Sequence, residues 1–249
     1  MGRQQRAQRA LTRQLAYQQN KAAAIRGHER DIVLAMMHSS SRVRAILKSF
    51  QPIKPDVRVL EVGSGAQGLI FFFGSEQGVG VDPLAQSYGK LFPEWQSRVN
   101  TVAAFGESLP FAESSFDIVL CDNVVDHAES PRGIVAEIAR VLKPSGLLYF
   151  TVNTHHPIYA LISDIHAAWN DLGIRQEIGP FADHTVHLTK SGAQRLFQGL
   201  PFRVLQETSN LAEAKLIAKQ DGDMLKRIFF KNALYEVVAI KDRSVVTAR

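Results

Sequence analysis

At 249 residues the chain is long enough for one large domain with a hydrophobic core, and its 45% hydrophobic and 21% charged residues exclude wholesale disorder and fibrous repeats. Its longest apolar runs, such as Ile32–Met37 and Leu69–Phe73, fall far short of the roughly 20 residues a membrane span needs. No apolar stretch follows the N-terminal charges as a secretory signal requires, and a lone cysteine, Cys121, cannot form an internal disulfide, so the expected compartment is the cytoplasm.

The net charge of +5 is concentrated at the N-terminus: residues 1–30 carry seven Lys or Arg against one acid, Glu29. At helical spacing Ala7, Leu11, Leu15, Ala22 and Ile25 share one arc, and Arg3, Arg6, Arg9 and Arg13 lie opposite. Three readings of this arm stay open. It is a helix packed on the domain with solvated arginines, a surface for nucleic acid or another anionic partner, or an Arg-rich mitochondrial targeting segment. A second helix follows, with Ile32, Met36, Val43, Ile46 and Phe50 at helical spacing, and stops before Pro52. The pattern predicts an N-terminal extension over residues 1–50 and one domain over 51–249.

Beyond Pro52 short apolar runs alternate with helical stretches. Strands are expected at 57–62, 78–82, 100–104, 116–122 and 146–152, and helices near 66–73, 83–92 and 131–142. Runs that are apolar throughout, rather than alternating, fit a parallel sheet covered on both faces. The rhythm breaks over 153–190, which carries five of the eight histidines. It resumes as a helix near 190–200, a strand near 202–208, a helix near 211–229 and a strand near 233–241. The expected fold is a doubly wound, Rossmann-like α/β domain with a mostly parallel seven-stranded sheet.

The segment VLEVGSGAQG (59–68) runs a strand straight into a glycine-rich turn, with Gly63, Gly65 and Gly68 in G-x-G-x-x-G order. Asp82 ends the next strand. Glycine lets the backbone take positive φ and come close to a ligand, at the strand ends where open α/β sheets bind them. Two ligand classes share this spacing: a dinucleotide, whose pyrophosphate sits in the turn, and S-adenosylmethionine, which has no phosphate. Glu61, two residues before Gly63, favours a cationic ligand over an anionic one.

Two further segments accompany the turn: GESLPFAESSFDIVLCDN (106–123), with Leu109-Pro110-Phe111 and then Phe116-Asp117, and AEIARVLKPSGLLYFTV (136–152). Together the three resemble the class I S-adenosylmethionine-dependent methyltransferases that carry "LPF…FD" and "RVLKPGG" signatures, closely over residues 55–153. The resemblance implies that Glu61, Gly63, Ser64 and Gly65 lie at the methionine portion of S-adenosyl-L-methionine. It implies that Asp82 holds the ribose hydroxyls, that Pro83 starts the next helix, and that Asp122 and Asn123 border methyl transfer. The acid that commonly meets the adenine stands four residues before the "LPF" leucine, and here that position is Phe105. Either the Phe105 and Gly106 backbones read the ring edge, or Glu107 takes the acid's part. The run Asp122-Asn123-Val124-Val125 departs from the Asp/Asn-Pro-Pro-aromatic run of many base-modifying enzymes.

His127, just beyond the fourth strand, is a candidate general base or a helix-start residue. His155 and His156, with the rest of 153–190, are candidates for the acceptor pocket. The five histidines show no metal-ligand spacing, so no metal is expected. Asp117 reads as a strand-entry residue, Phe71–Phe73 as packing, and Cys121 as a buried apolar filler. The leading function is methylation of a small or medium organic acceptor. The competitors are an RNA or protein methyltransferase recruited by the basic helix, a non-catalytic binding subunit of the same fold, and a dehydrogenase.

Overall fold

Seven strands form one sheet in the order β3-β2-β1-β4-β5-β7-β6. The computed structural model describes residues 3–155, 188–213 and 233–243. In chain order the strands are β1 (Arg58–Val62), β2 (Gln77–Val81), β3 (Asn100–Val102), β4 (Phe116–Asp122), β5 (Leu142–Thr154), β6 (Phe202–Ser209) and β7 (Ala233–Lys241). The pairs β1–β2, β1–β4, β2–β3 and β4–β5 are parallel; β7 runs antiparallel to both β5 and β6. The chain leaves β1 toward one edge, returns, and continues from β4 toward the other. The reversal therefore falls between β1 and β4, where such sheets open a crevice beyond their carboxyl ends.

The central strands are apolar throughout because both faces are covered. In β4, Val119 and Cys121 enter one core with Ile134, Val135 and Ile138 of α5 (Pro131–Val141), whereas Ile118 and Leu120 enter the other with Leu69, Tyr88 and Trp95. The second core also takes Met36, Val43 and Leu47 of α2 (Glu29–Lys48), each worth roughly 1.5–3 kcal/mol in apolar burial. Polar ties fix α2 as well. Ser40 Oγ donates to Leu69 O at 2.7 Å, and Arg42 reaches Glu236 at 2.9 Å and Tyr149 Oη at 2.8 Å. Thus α2, expected within an extension over 1–50, is a layer of the domain. Its periodicity was visible in the sequence, but not which surface would receive it.

Other expectations need correction. The helix expected over 66–73 is a single 3₁₀ turn, Leu69–Phe72, since Leu69, Ile70, Phe71 and Phe73 are all buried and leave no polar face for an amphipathic helix. Pro83 does not start a helix: Asp82 Oδ1 accepts from Leu84 N at 2.8 Å, and this side-chain turn delays α3 to Ala85–Leu91. A short helix, α4 (Pro93–Gln96), follows it. The Lys143–Gly146 turn survives as a bulge at the start of β5, with Ser145 at φ 65°.

Ahead of this body lies α1 (Arg3–Ala24), a helix as expected. Leu11, Leu15, Ala22 and Ile25 are half-buried and Arg13 is exposed, so the apolar arc faces the domain. The side chains of Arg3, Arg6, Ala7 and Arg9 lie outside the described residues, as do most of the helix expected over 211–229 and His156, His166, His184 and His187. Among the described residues no helix is long and apolar enough to cross a membrane.

Candidate active site

The β1–α crossing is a clamped glycine turn. Gly63 and Gly65 take φ of 71° and 52°, conformations only glycine enters freely. Nearly every backbone group of the turn is engaged from within. Gly63 N and Ser64 N donate to Val81 O at 2.7 and 2.9 Å. Gly65 N donates to Asp82 Oδ2 at 3.1 Å. On the carbonyl side, Trp95 Nε1 donates to Ala66 O at 2.7 Å, and Gln96 Nε2 reaches Gly65 O and Ala66 O at 3.0 and 3.1 Å. From α1, Lys21 Nζ donates to the Gln67 side chain at 2.7 Å. At about 1 kcal/mol net each, these bonds hold the turn before any ligand arrives.

Glu61 explains most of this geometry. Its side chain is 1% exposed, and its two oxygens accept from Leu69 N at 3.0 Å and Ile70 N at 2.9 Å. Glu61 therefore caps the 3₁₀ turn Leu69–Phe72 from within the fold. Gly68 completes the arrangement, since a Cβ there would lie 2.3 Å from Glu61 Oε2 and 2.4 Å from Ser64 O. Glu61 thus builds the turn from beneath rather than lining a ligand surface. Ser64 is buried too; its hydroxyl packs under β2, leaving no room for a side chain at Gly80.

Burial pushes the Glu61 carboxyl up to about 8, against the lowering effect of the two backbone N–H groups, with Asp122 and Asp82 adding repulsion. The ligand-free fold therefore keeps a proton between about pH 4.5 and 8 that the unfolded chain has lost. This stabilising contribution is fully present below 4.5 and fades as pH rises through 8. A cation beside the turn reverses the balance by favouring the carboxylate. Melting of the ligand-free protein between pH 6 and 8.5 is expected to fall relative to Glu61→Gln once both curves are aligned at pH 6. Parallel curves would remove this assignment.

Asp82 stands at the end of β2, half-buried, its carboxyl raised chiefly by burial and lowered again by the Leu84 and Gly65 N–H groups. Beside it opens a cavity of about 370 Å³. Pro83 and Leu84 form one wall, Ala103, Ala104 and Phe105 beyond β3 a second, and Leu11, Thr12 and Leu15 of α1 a third. Phe105, one of its lining residues, is 52% exposed. Gly106 is not at the cavity: a Cβ there would come within 3.0 Å of Val62 and 3.1 Å of Ile134, so its glycine lets the β3–β4 connection close on the core. Glu107 turns away as well. Its Oε1 accepts from Glu129 N and Ser130 N at 3.1 and 3.3 Å, at the start of α5.

At the end of β4, Asp122 is exposed and Asn123 adopts φ 55°. Thr151 on β5 donates its hydroxyl to Asp122 Oδ1 and accepts from Asn123 N at 3.0 Å, while Asn153 Nδ2 donates to Asn123 Oδ1 at 2.7 Å. This lacing joins the two strand ends opposite the glycine turn. Val124 then folds back over Gly63. His127 ends a 3₁₀ turn, half-exposed, with Nε2 3.9 Å from Oδ1 of the fully buried Asp126. His155 is buried at the end of β5 and its backbone N–H donates to Leu188 O at 2.8 Å. Its side chain is a packed one, not a wall of the open cavity.

The residues expected at the site thus divide. Gly63, Gly65, Asp82, Pro83, Phe105, Asp122 and Asn123 meet along the carboxyl edge of the sheet. Glu61, Ser64 and Gly106 support that edge from behind, and Glu107 holds α5. Sequence reasoning missed Trp95, Gln96, Thr151, Asn153 and Lys21, which reach the site only through the fold, and missed Leu11 and Leu15 as cavity walls although their arc was plain. Asp117 behaves as a strand-entry residue: Oδ2 accepts from Arg58 N at 2.9 Å and Oδ1 from Lys143 Nζ at 2.7 Å. Cys121 is wholly buried, with burial holding its thiol well above the ordinary range.

A doubly wound sheet with a glycine turn, an acid at the end of the neighbouring strand and an adjoining apolar slot together form the candidate ligand site. Residues 60–150 match the methyltransferase domain family. That match runs from β1 through the glycine turn to β5, the part of the chain that resembles the class I S-adenosylmethionine-dependent methyltransferases. Over 57 residues it is 42% identical to the thiol S-methyltransferase TMT1B of Rattus norvegicus, covering 22% of this chain and 23% of that one. Over 135 residues it is 33% identical to an uncharacterised methyltransferase of Mycobacterium sp. (strain JLS), covering 53% and 44%. The chain thus spans less than half the length of these curated relatives. Among solved structures, the YcgJ protein of Bacillus subtilis superposes with TM-score 0.56 at 20% identity, over 82% of this chain and 99% of that one. Geranyl diphosphate C-methyltransferase of Streptomyces coelicolor, solved with S-adenosyl-L-homocysteine, gives 0.55 at 16% identity, over 81% and 78%.

Proposed function

We propose that this chain transfers a methyl group from S-adenosylmethionine to a small or medium organic acceptor. The observation that carries the reading is Glu61. Buried beneath the turn, Glu61 takes up Leu69 N and Ile70 N, the backbone donors that follow the glycines, and a cation beside the turn would be favoured by drawing off the proton that burial holds on it. This disfavours a nicotinamide dinucleotide and favours a ligand with sulfonium and ammonium groups. When bound, that ligand supplies a methyl carried on a positively charged sulfur.

The protein's own share is placement. Asp82 uses one oxygen for Gly65 N and the other for Leu84 N. An ionised carboxylate has about four acceptor sites, so two remain for vicinal ribose hydroxyls. Gly65, open where a side chain would stand, lets the ligand approach the turn, and the Asp122–Asn123 end of β4 borders the transfer. Positioning an acceptor at near-attack distance can supply roughly 7–11 kcal/mol of the barrier without an acid–base dyad. His127, half-exposed just beyond β4, is the candidate base for an acceptor that must lose a proton. The named relatives of thiol and geranyl diphosphate substrate support a small acceptor.

The test is a labelled-methyl assay on fractionated extract and on panels of thiols, amines and isoprenoids, paired with calorimetry. Label in a small-molecule fraction is the expected result. Label in RNA or protein would transfer the reading to a macromolecular acceptor. Tight S-adenosylhomocysteine binding without transfer to any fraction would make the domain a binding subunit.

A further inference from the structure

The side of the sheet that faces α2 changes character at its carboxyl edge. Further back, Ile118 pairs with Leu147 and that with Ile240, and Leu120 pairs with Tyr149 and that with Val238; both rows pack in the second core. The next row on the same face is polar throughout: Asp122 on β4, Thr151 on β5, Glu236 on β7 and Thr208 on β6. Glu236 is satisfied within the fold. Its Oε2 accepts from Arg42 at 2.9 Å and from Tyr149 Oη at 2.7 Å, and its Oε1 from Thr208 Oγ1 at 3.3 Å. Arg42, which also donates to Tyr149 Oη, is thereby committed as the counter-charge of Glu236. Asp122 is held on one side only. Thr151 donates to its Oδ1, and Oδ2 has no partner among the described residues. The Thr151 bond gives Oδ2 a set direction, at the exposed end of β4 where it parts from β1.

We infer that Asp122 is a catalytic residue that takes a hydrogen bond from the acceptor through Oδ2, and that the acceptor is a small amine. The inference rests on the proposed function, because it takes the methyl donor to be bound at the glycine turn. An amine attacks the methyl carbon with its nitrogen lone pair. The carbon–sulfur bond breaks, its electron pair stays on sulfur as a neutral thioether, and the positive charge passes to nitrogen, so the product leaves as an ammonium. An N–H donated to Oδ2 aims the lone pair, and a carboxylate already fixed in place stabilises the charge as it grows on nitrogen. A thiol or phenol reacts as its anion, which Asp122 repels, and an alkene carbon offers Oδ2 no donor. The acceptor class therefore differs from the thiol and geranyl diphosphate in the names of the similar proteins.

The experiment supplies the full chain with a small-molecule cell extract and S-adenosylmethionine isotopically labelled in its methyl carbon. The carbon NMR shift of the transferred methyl reads which atom received it, whatever the acceptor. An N-methyl product is expected. Asp122→Asn, which keeps the shape and loses the charge, is then assayed on the same fraction. Turnover is expected to fall by roughly 10- to 150-fold, the worth of a hydrogen bond to a charged group, while S-adenosylhomocysteine affinity by calorimetry stays within about threefold. Thr151→Val, which frees the carboxyl from its set direction, should lower turnover in the same sense.

Transfer to sulfur, oxygen or carbon would overturn the inference. So would an N-methyl product formed at parent rates by both variants. Equal losses of turnover and of S-adenosylhomocysteine affinity in Asp122→Asn would overturn it as well, and would put Asp122 on the cofactor's own ammonium group. If no label enters any small molecule, it is the proposed function that fails, before the acceptor class is in question.

Discussion

Replacing Asp82 with alanine is expected to weaken S-adenosylhomocysteine binding by about 10- to 150-fold, with the protein still folded. The range follows from losing hydrogen bonds to a charged acceptor, worth roughly 1.5–3 kcal/mol, at 1.4 kcal/mol per factor of ten. Asp82 has a second duty, since it ties Gly65 N at 3.1 Å and Leu84 N at 2.8 Å. Part of any loss could therefore come from a loosened turn. A 2′-deoxyribose analogue separates the two contributions. It should bind the parent several-fold more weakly than the full ribose, and bind Asp82→Ala no more weakly, because the missing hydroxyl has no partner left. An unchanged dissociation constant for folded Asp82→Ala would remove the ribose assignment and, with it, the cofactor.

The fold was legible because its signals are local. The central strands were mostly apolar runs, and β4 and β7 begin and end where the pattern put them, at 116–122 and 233–241. Gly63 and Gly65 were readable because positive φ is a backbone demand that residue type declares. The failures are failures of destination. Nothing in Met36, Val43 and Leu47 says that they enter the sheet's second core instead of a separate arm, and nothing in Arg42 names Glu236, 194 positions away.

The site divides along the same line. Asp82 and Asp122 end strands, so their place at the rim followed from topology alone. Glu61 was recognised as a carboxylate that suits a cation, yet its direct work is to accept from Leu69 N and Ile70 N. That role depends on the 3₁₀ turn forming where a longer helix was expected. Glu107 looked like a stand-in for an adenine-reading acid on spacing, but the helix-opening N–H groups of Glu129 and Ser130 are its partners. Charged side chains go where unsatisfied backbone groups are, and those appear only once the helices have ends.

Gly63→Ala is the substitution expected to cost the most stability for the fewest atoms. Two effects add. At φ 71° an alanine carries the left-handed penalty of roughly 1–2 kcal/mol. The new methyl would also fall 2.4 and 2.5 Å from the two Val124 methyls, and a β-branched side chain held at the end of β4 cannot rotate clear. Overpacking of this kind costs roughly 1–3 kcal/mol, so the sum is about 2–5 kcal/mol, or a fall in Tm of roughly 5–15 °C. The strain is aimed at function, because Val124 follows Asn123 and Gly63 precedes the turn. Pushing them apart opens the crevice between β1 and β4, and cofactor affinity should fall with stability. Gly63→Ala combined with Val124→Ala is expected to regain the overpacking share and leave the left-handed share, a coupling that a double-mutant cycle reads directly. A double variant no more stable than Gly63→Ala alone would show that the backbone conformation, not the crossing of Val124 over the turn, is what glycine protects at this position.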